Sequence, residues 1–156
     1  MMGVSGCGKT TVGKLLSEKT GIEFFDGDDF HPPANKRQMA NGFPLNDDDR
    51  AGWLIGLADL IKNRLSQGKS TILACSALKQ KYRDILNAQP GNVRFVYLKG
   101  NYDEILERMK TRSDHYMKAG MLRSQFETLE EPADALTVDI TLTPEQKIDS
   151  ILQGLS

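Results

Sequence analysis

Cysteine is scarce in this sequence: two residues in 156, Cys7 and Cys75, far apart and without metal-ligand spacing. That excludes a disulfide scaffold and a cysteine-based zinc site, and it fits a reduced, cytoplasmic setting. Histidine is equally sparse, and neither His31 nor His115 has a Cys or His neighbour at zinc spacing. No apolar run approaches the roughly 20 residues that span a bilayer, and no signal-peptide pattern is present. Charge of one sign is also lacking, with 20 Lys+Arg against 21 Asp+Glu and a net charge of −1. Long-range electrostatics therefore give no case for a nucleic-acid or membrane partner, and an acidic ligand would need a local cluster of bases. Repeats and low-complexity linkers are absent, so residues 1–156 read as one domain with one hydrophobic core.

What the chain does have begins almost at once. Gly3-Val4-Ser5-Gly6-Cys7-Gly8-Lys9-Thr10 satisfies the full phosphate-binding loop pattern. Its glycines allow backbone conformations and close approaches that a Cβ would block. Successive N–H groups can then form a nest for anionic oxygens, backed by the positive end of the helix that starts here. The nucleotide-binding set is Gly3, Val4, Ser5, Gly6, Cys7, Gly8, Lys9, Thr10 and Thr11. Lys9 reaches the β- and γ-phosphates and the Thr10 hydroxyl ligates Mg²⁺, which makes ATP and Mg²⁺ the expected cofactors. Such a loop ordinarily follows a β-strand. Only Met1 and Met2 precede Gly3, so either the first strand is truncated or a short stub does its work.

Strand and helix signals alternate through the rest. Helices are expected over Lys9–Lys19, after Pro32-Pro33, from the Asn46 cap to Gly68, through Tyr82–Leu86, from Asn101 through Met109, through Leu122–Leu129, and after Thr143-Pro144-Glu145-Gln146. Strands are expected at Ile22–Phe25, Thr71–Cys75, Val93–Leu98 and Leu136–Leu142. This alternation predicts a three-layer α/β/α fold on a parallel sheet, with ligands gathered at the carboxyl ends of the strands. Residues of about 111–120 lose apolar periodicity and read as a lid.

Asp26-Gly27-Asp28-Asp29 falls at the end of the second expected strand. Phosphoryl transfer needs a carboxylate on the magnesium side and one to orient the attacking hydroxyl, and two acids one residue apart can divide those tasks. The Thr71–Cys75 strand ends in Cys75-Ser76 rather than an acid, so Asp26 or Asp28 is the metal-side candidate. No Asn-Lys-x-Asp segment supports a GTPase. Lys79, Lys81 and Arg83 either receive an anionic substrate or form a solvated helix face. Arg50 sits in the first turn of a helix, against the dipole, which points weakly to a ligand. Arg108 precedes the lid and Arg112 enters it, as candidate cations for the transferring phosphoryl group. His31 and His115 suit either hydroxyl recognition or plain surface positions.

Four blocks, in order, resemble the small P-loop gluconokinases, relatives of shikimate kinase and adenylate kinase. They are Asp26-Gly27-Asp28 with His31-Pro32; Pro44-Leu45-Asn46-Asp47-Asp48-Asp49-Arg50 with Trp53-Leu54; Cys75-Ser76-Ala77-Leu78-Lys79 with Tyr82-Arg83-Asp84; and Ser124-Gln125-Phe126-Glu127-Thr128-Leu129-Glu130 with Pro132. The resemblance implies a nucleoside-kinase-like fold and ATP-dependent phosphorylation of the 6-hydroxyl of D-gluconate in the cytoplasm; the sequence leaves the oligomeric state open, a homodimer being one option. It implies Lys9, Asp26, Asp28 and Arg112 as catalytic, and Thr10 and Asp26 on the metal. It further implies Asp28, His31, Arg50, Lys79 and His115 on the substrate, and Arg108 on the nucleotide side. Where the family's lid reads Gly-His-Phe, this chain has Asp114-His115-Tyr116. The alternatives are a kinase of another small hydroxy acid, such as shikimate, and a nucleotide-binding relative without catalysis.

Overall fold

Two pairs of parallel strands are joined through the chain's first residues. The computed structural model describes residues 1–111 and 119–156. β1 (Glu23–Asp26) pairs with β2 (Thr71–Ala74), and β3 (Val96–Lys99) with β4 (Leu136–Asp139), each in parallel. The stub lies between the pairs. On one side the Met1 amino group donates to the Leu73 carbonyl (2.9 Å) and the Cys75 N–H donates to the Met1 carbonyl (3.0 Å). On the other, the Met2 N–H donates to the Val96 carbonyl (2.8 Å) and the Leu98 N–H to the Met2 carbonyl (3.0 Å). The spatial order is therefore β1, β2, stub, β3, β4. The short N-terminus does the work of a central strand, because its few backbone groups satisfy both neighbouring ladders.

Side chains alternate across this sheet, as strand geometry requires. Ile72, Val96, Leu98 and Val138 enter one core cluster, while Met2, Cys75 and Tyr97 enter the other. The first cluster is closed by α1 (Lys9–Thr20) and α7 (Pro144–Leu155), through Val12, Leu16, Ile148 and Ile151. The second is closed by α3 (Asp47–Ser66) and α4 (Gln80–Leu86), through Trp53, Leu54, Leu57, Tyr82 and Leu86. The result is the expected three-layer arrangement.

Local chemistry sets the helix ends. Asn46 and Asp49 form a reciprocal capping box on α3, and Thr143 and Gln146 form one on α7. On α5 (Tyr102–Lys110) the Asn101 side chain caps the Glu104 N–H, but the Glu104 carboxylate returns to the Asn101 amide group, so the expected box is only half formed. α2 (Pro33–Ala40) follows Pro32, and α6 (Ala119–Thr128) follows the expected lid, whose residues 112–118 lie outside the described residues. β3 begins at Val96, not at Val93 as its apolar run suggested. Val93, Arg94 and Phe95 line a cavity of about 490 Å³, also bordered by Met1, Ile61 and Leu65. This cavity sits at the amino ends of the strands, away from the phosphate loop.

Candidate active site

The carboxyl ends of the stub, β1 and β2 bring three turns together. The phosphate loop leaves the stub at Gly3, whose φ of 141° and close approach both demand glycine: an added Cβ would lie 2.9 Å from the Leu98 carbonyl oxygen. Gly8, at φ 99°, turns the chain into α1. Lys9 Nζ folds back across the loop and donates to the carbonyls of Gly3 (2.9 Å) and Val4 (3.0 Å). Cys7 is fully buried beneath it as a free thiol.

The next turn follows β1 and carries the two acids. Asp26 caps a short 3-10 helix, Gly27–Phe30, by accepting the Asp28 N–H on Oδ1 (3.0 Å). Its other oxygen, Oδ2, accepts the Thr10 hydroxyl at 2.8 Å. A hydroxyl and a carboxylate from the phosphate loop and the neighbouring strand end are hard oxygen donors. Among the described residues no cluster of three or more His, Cys, Asp or Glu could hold a metal. That donor set fits Mg²⁺, which keeps most of its waters and takes its remaining ligands from substrate phosphates, and it does not fit zinc.

Asp28 keeps exposed surface at the cleft, yet the surrounding protein removes enough water to raise its carboxyl above the ordinary value, with Lys9 opposing the rise. His31 ends the same turn. Far from being a surface residue, it is 7% exposed and stacks on Trp53 with ring centroids 4.0 Å apart. Burial, helped by Arg50 and Lys36, lowers its pKa to about 4, so it is neutral at physiological pH. Asn35 Nδ2 donates to the Asp49 carbonyl (2.8 Å) and lies 3.4 Å from His31 Nδ1. The network assigns Nδ1 as acceptor and leaves the hydrogen on Nε2. Trp53 Nε1 donates to the Gly27 carbonyl (2.8 Å), which fixes the turn on α3.

The turn after β2 carries the bases. Ala77 adopts φ 47°, and Lys79 then occupies the N-cap position of α4 without a side-chain capping bond. Lys79 Nζ pairs with Asp47 Oδ1 (3.1 Å), and Lys81 and the Tyr82 hydroxyl also donate to Asp47. Those bonds, Lys81 first, hold the Asp47 carboxyl well below the usual range. Arg50 donates to the Tyr82 hydroxyl (3.0 Å) and lies over its ring. Arg83 is no substrate cation. It is 3% exposed and spends its guanidinium on the carbonyls of Ala77, Leu78 and Glu130 and on the Gln80 side chain.

Lys9, Asp28, His31 and Arg50 line one cleft together with Ser5, Trp53, Ser76 and Gln125. Lys79 stands at the Asp47 cluster beside it. Arg108 lies elsewhere, donating to the Ile140 carbonyl at the end of β4. Arg112 and His115 fall outside the described residues. Sequence reasoning gave no individual role to Asp47, which reads as a helix-dipole acid. Nor did it give one to Gln125, whose Oε1 accepts the Ser5 N–H at 2.6 Å. No local pattern pairs Asp47 with bases 32 residues on, or Gln125 with a loop 120 residues away.

The shikimate kinase family model matches residues 5–155. The thermoresistant gluconokinase of Escherichia coli strain K12 is 43% identical over 157 residues, covering 98% of this chain and 90% of its own. Among solved structures, a sugar kinase from Janibacter sp. superposes with a TM-score of 0.92 at 44% identity, covering 99% of this chain and 91% of that one. A gluconokinase from Sinorhizobium meliloti 1021 gives 0.89 at 39% identity, with 99% and 88% covered.

Proposed function

The chain belongs to the gluconokinases of the shikimate kinase family of P-loop kinases, and from that premise we propose that it transfers the γ-phosphoryl group of ATP to the 6-hydroxyl of D-gluconate. The observation that carries this reading is the single cleft in which Lys9 of the phosphate loop meets Asp28, His31 and Arg50. In it a phosphate-binding element faces a carboxylate, a neutral imidazole and a cation, a set suited to a polyhydroxylated acid.

The backbone of Gly3–Thr11 cradles the phosphates and Lys9 turns from the loop carbonyls to the β- and γ-oxygens. Thr10 and Asp26 would hold Mg²⁺, which would supply neutralising charge to the phosphates. Asp28 accepts the proton of the 6-hydroxyl as its oxygen attacks the γ-phosphorus, the bond to the β–γ bridging oxygen breaks, and ADP leaves. A carboxyl raised by burial is a better base for this step than an ordinary aspartate. His31, neutral and fixed by Trp53, hydrogen-bonds substrate hydroxyls, joined by His115. Arg50 and Lys79 hold the gluconate carboxylate, which competes with Asp47 for Lys79. Arg112 stabilises charge on the transferring group, and Arg108 lies on the nucleotide side. The two free thiols suit a cytoplasmic enzyme.

The test is product identification by ³¹P NMR, with D-gluconate and shikimate offered separately. A phosphomonoester formed from gluconate supports the reading; one formed from shikimate alone overturns the substrate.

A further inference from the structure

Gln125 belongs to no role assigned above, although it joins two parts of the cleft. Its Oε1 accepts the Ser5 N–H, from the third residue of the phosphate loop, at 2.6 Å. Because an N–H can only donate, this bond fixes the polarity of the carboxamide: the oxygen faces the loop and the NH₂ group faces away from it. Gln125 lines the cleft shared by Lys9, Asp28, His31 and Arg50, and among the described residues no acceptor is bound to its Nε2.

The helix that presents Gln125 is firmly held. Met121 and Leu122 of α6 are buried in the core, and Phe126 packs edge-on against Tyr102 at 5.7 Å. Just beyond α6, the Glu130 N–H donates to the Leu78 carbonyl (2.8 Å), and Glu130 Oε1 accepts the Gln80 N–H (2.7 Å). Gln125 therefore stands on an element tied to the turn that carries Lys79, while its side chain reads the position of the phosphate loop.

We propose that Gln125 orients the acceptor: Nε2 donates to a lone pair of a substrate hydroxyl oxygen while Oε1 keeps its bond to Ser5. The need for such a group follows from the chemistry of the cleft. Asp28 can only accept, so it holds the hydroxyl by its proton and leaves the oxygen free to swing. Lys9 and Arg50 are cations, and a cation on the attacking oxygen would blunt it as a nucleophile. A neutral amide donor fixes the oxygen at lower cost, and its link to Ser5 sets that position against the γ-phosphate.

The inference rests on the gluconate reading, and the test separates the two. Gln125→Met and Gln125→Glu would be compared with wild type for gluconate KM and kcat, for binding of a non-hydrolysable ATP analogue, and for Tm. A structural brace for the loop would move nucleotide affinity. An acceptor-orienting group moves the gluconate terms, and the expected loss in kcat/KM for gluconate is about tenfold or more in Gln125→Met, with nucleotide Kd changed by less than about threefold. Gln125→Glu, which keeps an acceptor for Ser5, is expected to lose gluconate kcat/KM as well, so a folding failure of one variant leaves the other decisive. Unchanged gluconate kinetics, or a loss matched by nucleotide Kd, would overturn the inference alone. A wild type that turns over without any dependence on gluconate would overturn the underlying reading and this inference with it.

Discussion

The Thr10 hydroxyl donates to Asp26 Oδ2 at 2.8 Å, joining the last residue of the phosphate loop to the last residue of β1. The same carboxylate holds the Asp28 N–H with its other oxygen, so one side chain aligns the metal side of the site with the acceptor side.

Asp26→Asn keeps an acceptor for one of these bonds but removes the charge. The expected outcome is a fall in kcat on the order of 10²-fold or more, with the Mg²⁺ concentration for half-maximal rate shifted upward, since a bound metal is worth several kcal/mol. A magnesium titration of the steady-state rate checks it, and chelation with EDTA is expected to abolish wild-type turnover.

Asp28→Asn separates catalysis from stability. Its carboxyl is raised above the unfolded value by burial, so its contribution to stability is present at low pH and lost as pH rises through the folded value. At pH 7 the ionised group is a cost that Asn removes. The variant is expected to melt at or above the wild-type temperature while kcat falls about 10²–10⁴-fold, the range of a general base. Differential scanning calorimetry beside steady-state kinetics reads both.

How much of this was legible beforehand follows from where each signal lies in the chain. The phosphate loop, the Asp26–Asp28 pair and the capping residues Asn46 and Thr143 depend on neighbours within a few residues, so sequence carries them in full. The parallel sheet followed from strand–helix alternation. The stub was one of two readings open in the sequence, because a single paired residue has no periodicity; the bonds of Met1 and Met2 to Leu73, Cys75, Val96 and Leu98 decide for it. Arg83 was misread for a similar reason. Its charge run looks solvated or ligand-facing, whereas the carbonyls of the turn just before it and of Glu130, 47 residues on, draw it inside.

His31 gives the fold a pH dependence. Its pKa falls from 6.5 to about 4 on folding, so the stability it contributes is whole above pH 6.5 and is lost as pH drops toward 4. The loss amounts to roughly 3 kcal/mol at full protonation, taken at 1.36 kcal/mol per pH unit. In urea titrations from pH 7 to pH 4, His31→Gln is expected to show a shallower decline than wild type. Parallel declines would contradict a buried neutral imidazole.

Arg83→Met leaves the carbonyls of Ala77 and Glu130 without the guanidinium donor, while the Leu78 carbonyl keeps the Glu130 N–H. Stability is expected to drop by about 2–4 kcal/mol, given the cost of unsatisfied buried acceptors. Because Leu78 and Glu130 position Lys79 and α6, gluconate KM is expected to rise more than the Kd for ATP. Urea denaturation with substrate titration would show both effects.

The most direct test of the account is ADP release from ATP and Mg²⁺, measured on this chain with and without D-gluconate. The account requires release that depends on gluconate and saturates with it. Release at the same rate with and without gluconate, or none with gluconate present, would contradict the assignment of the Lys9–Asp28 cleft to gluconate phosphorylation.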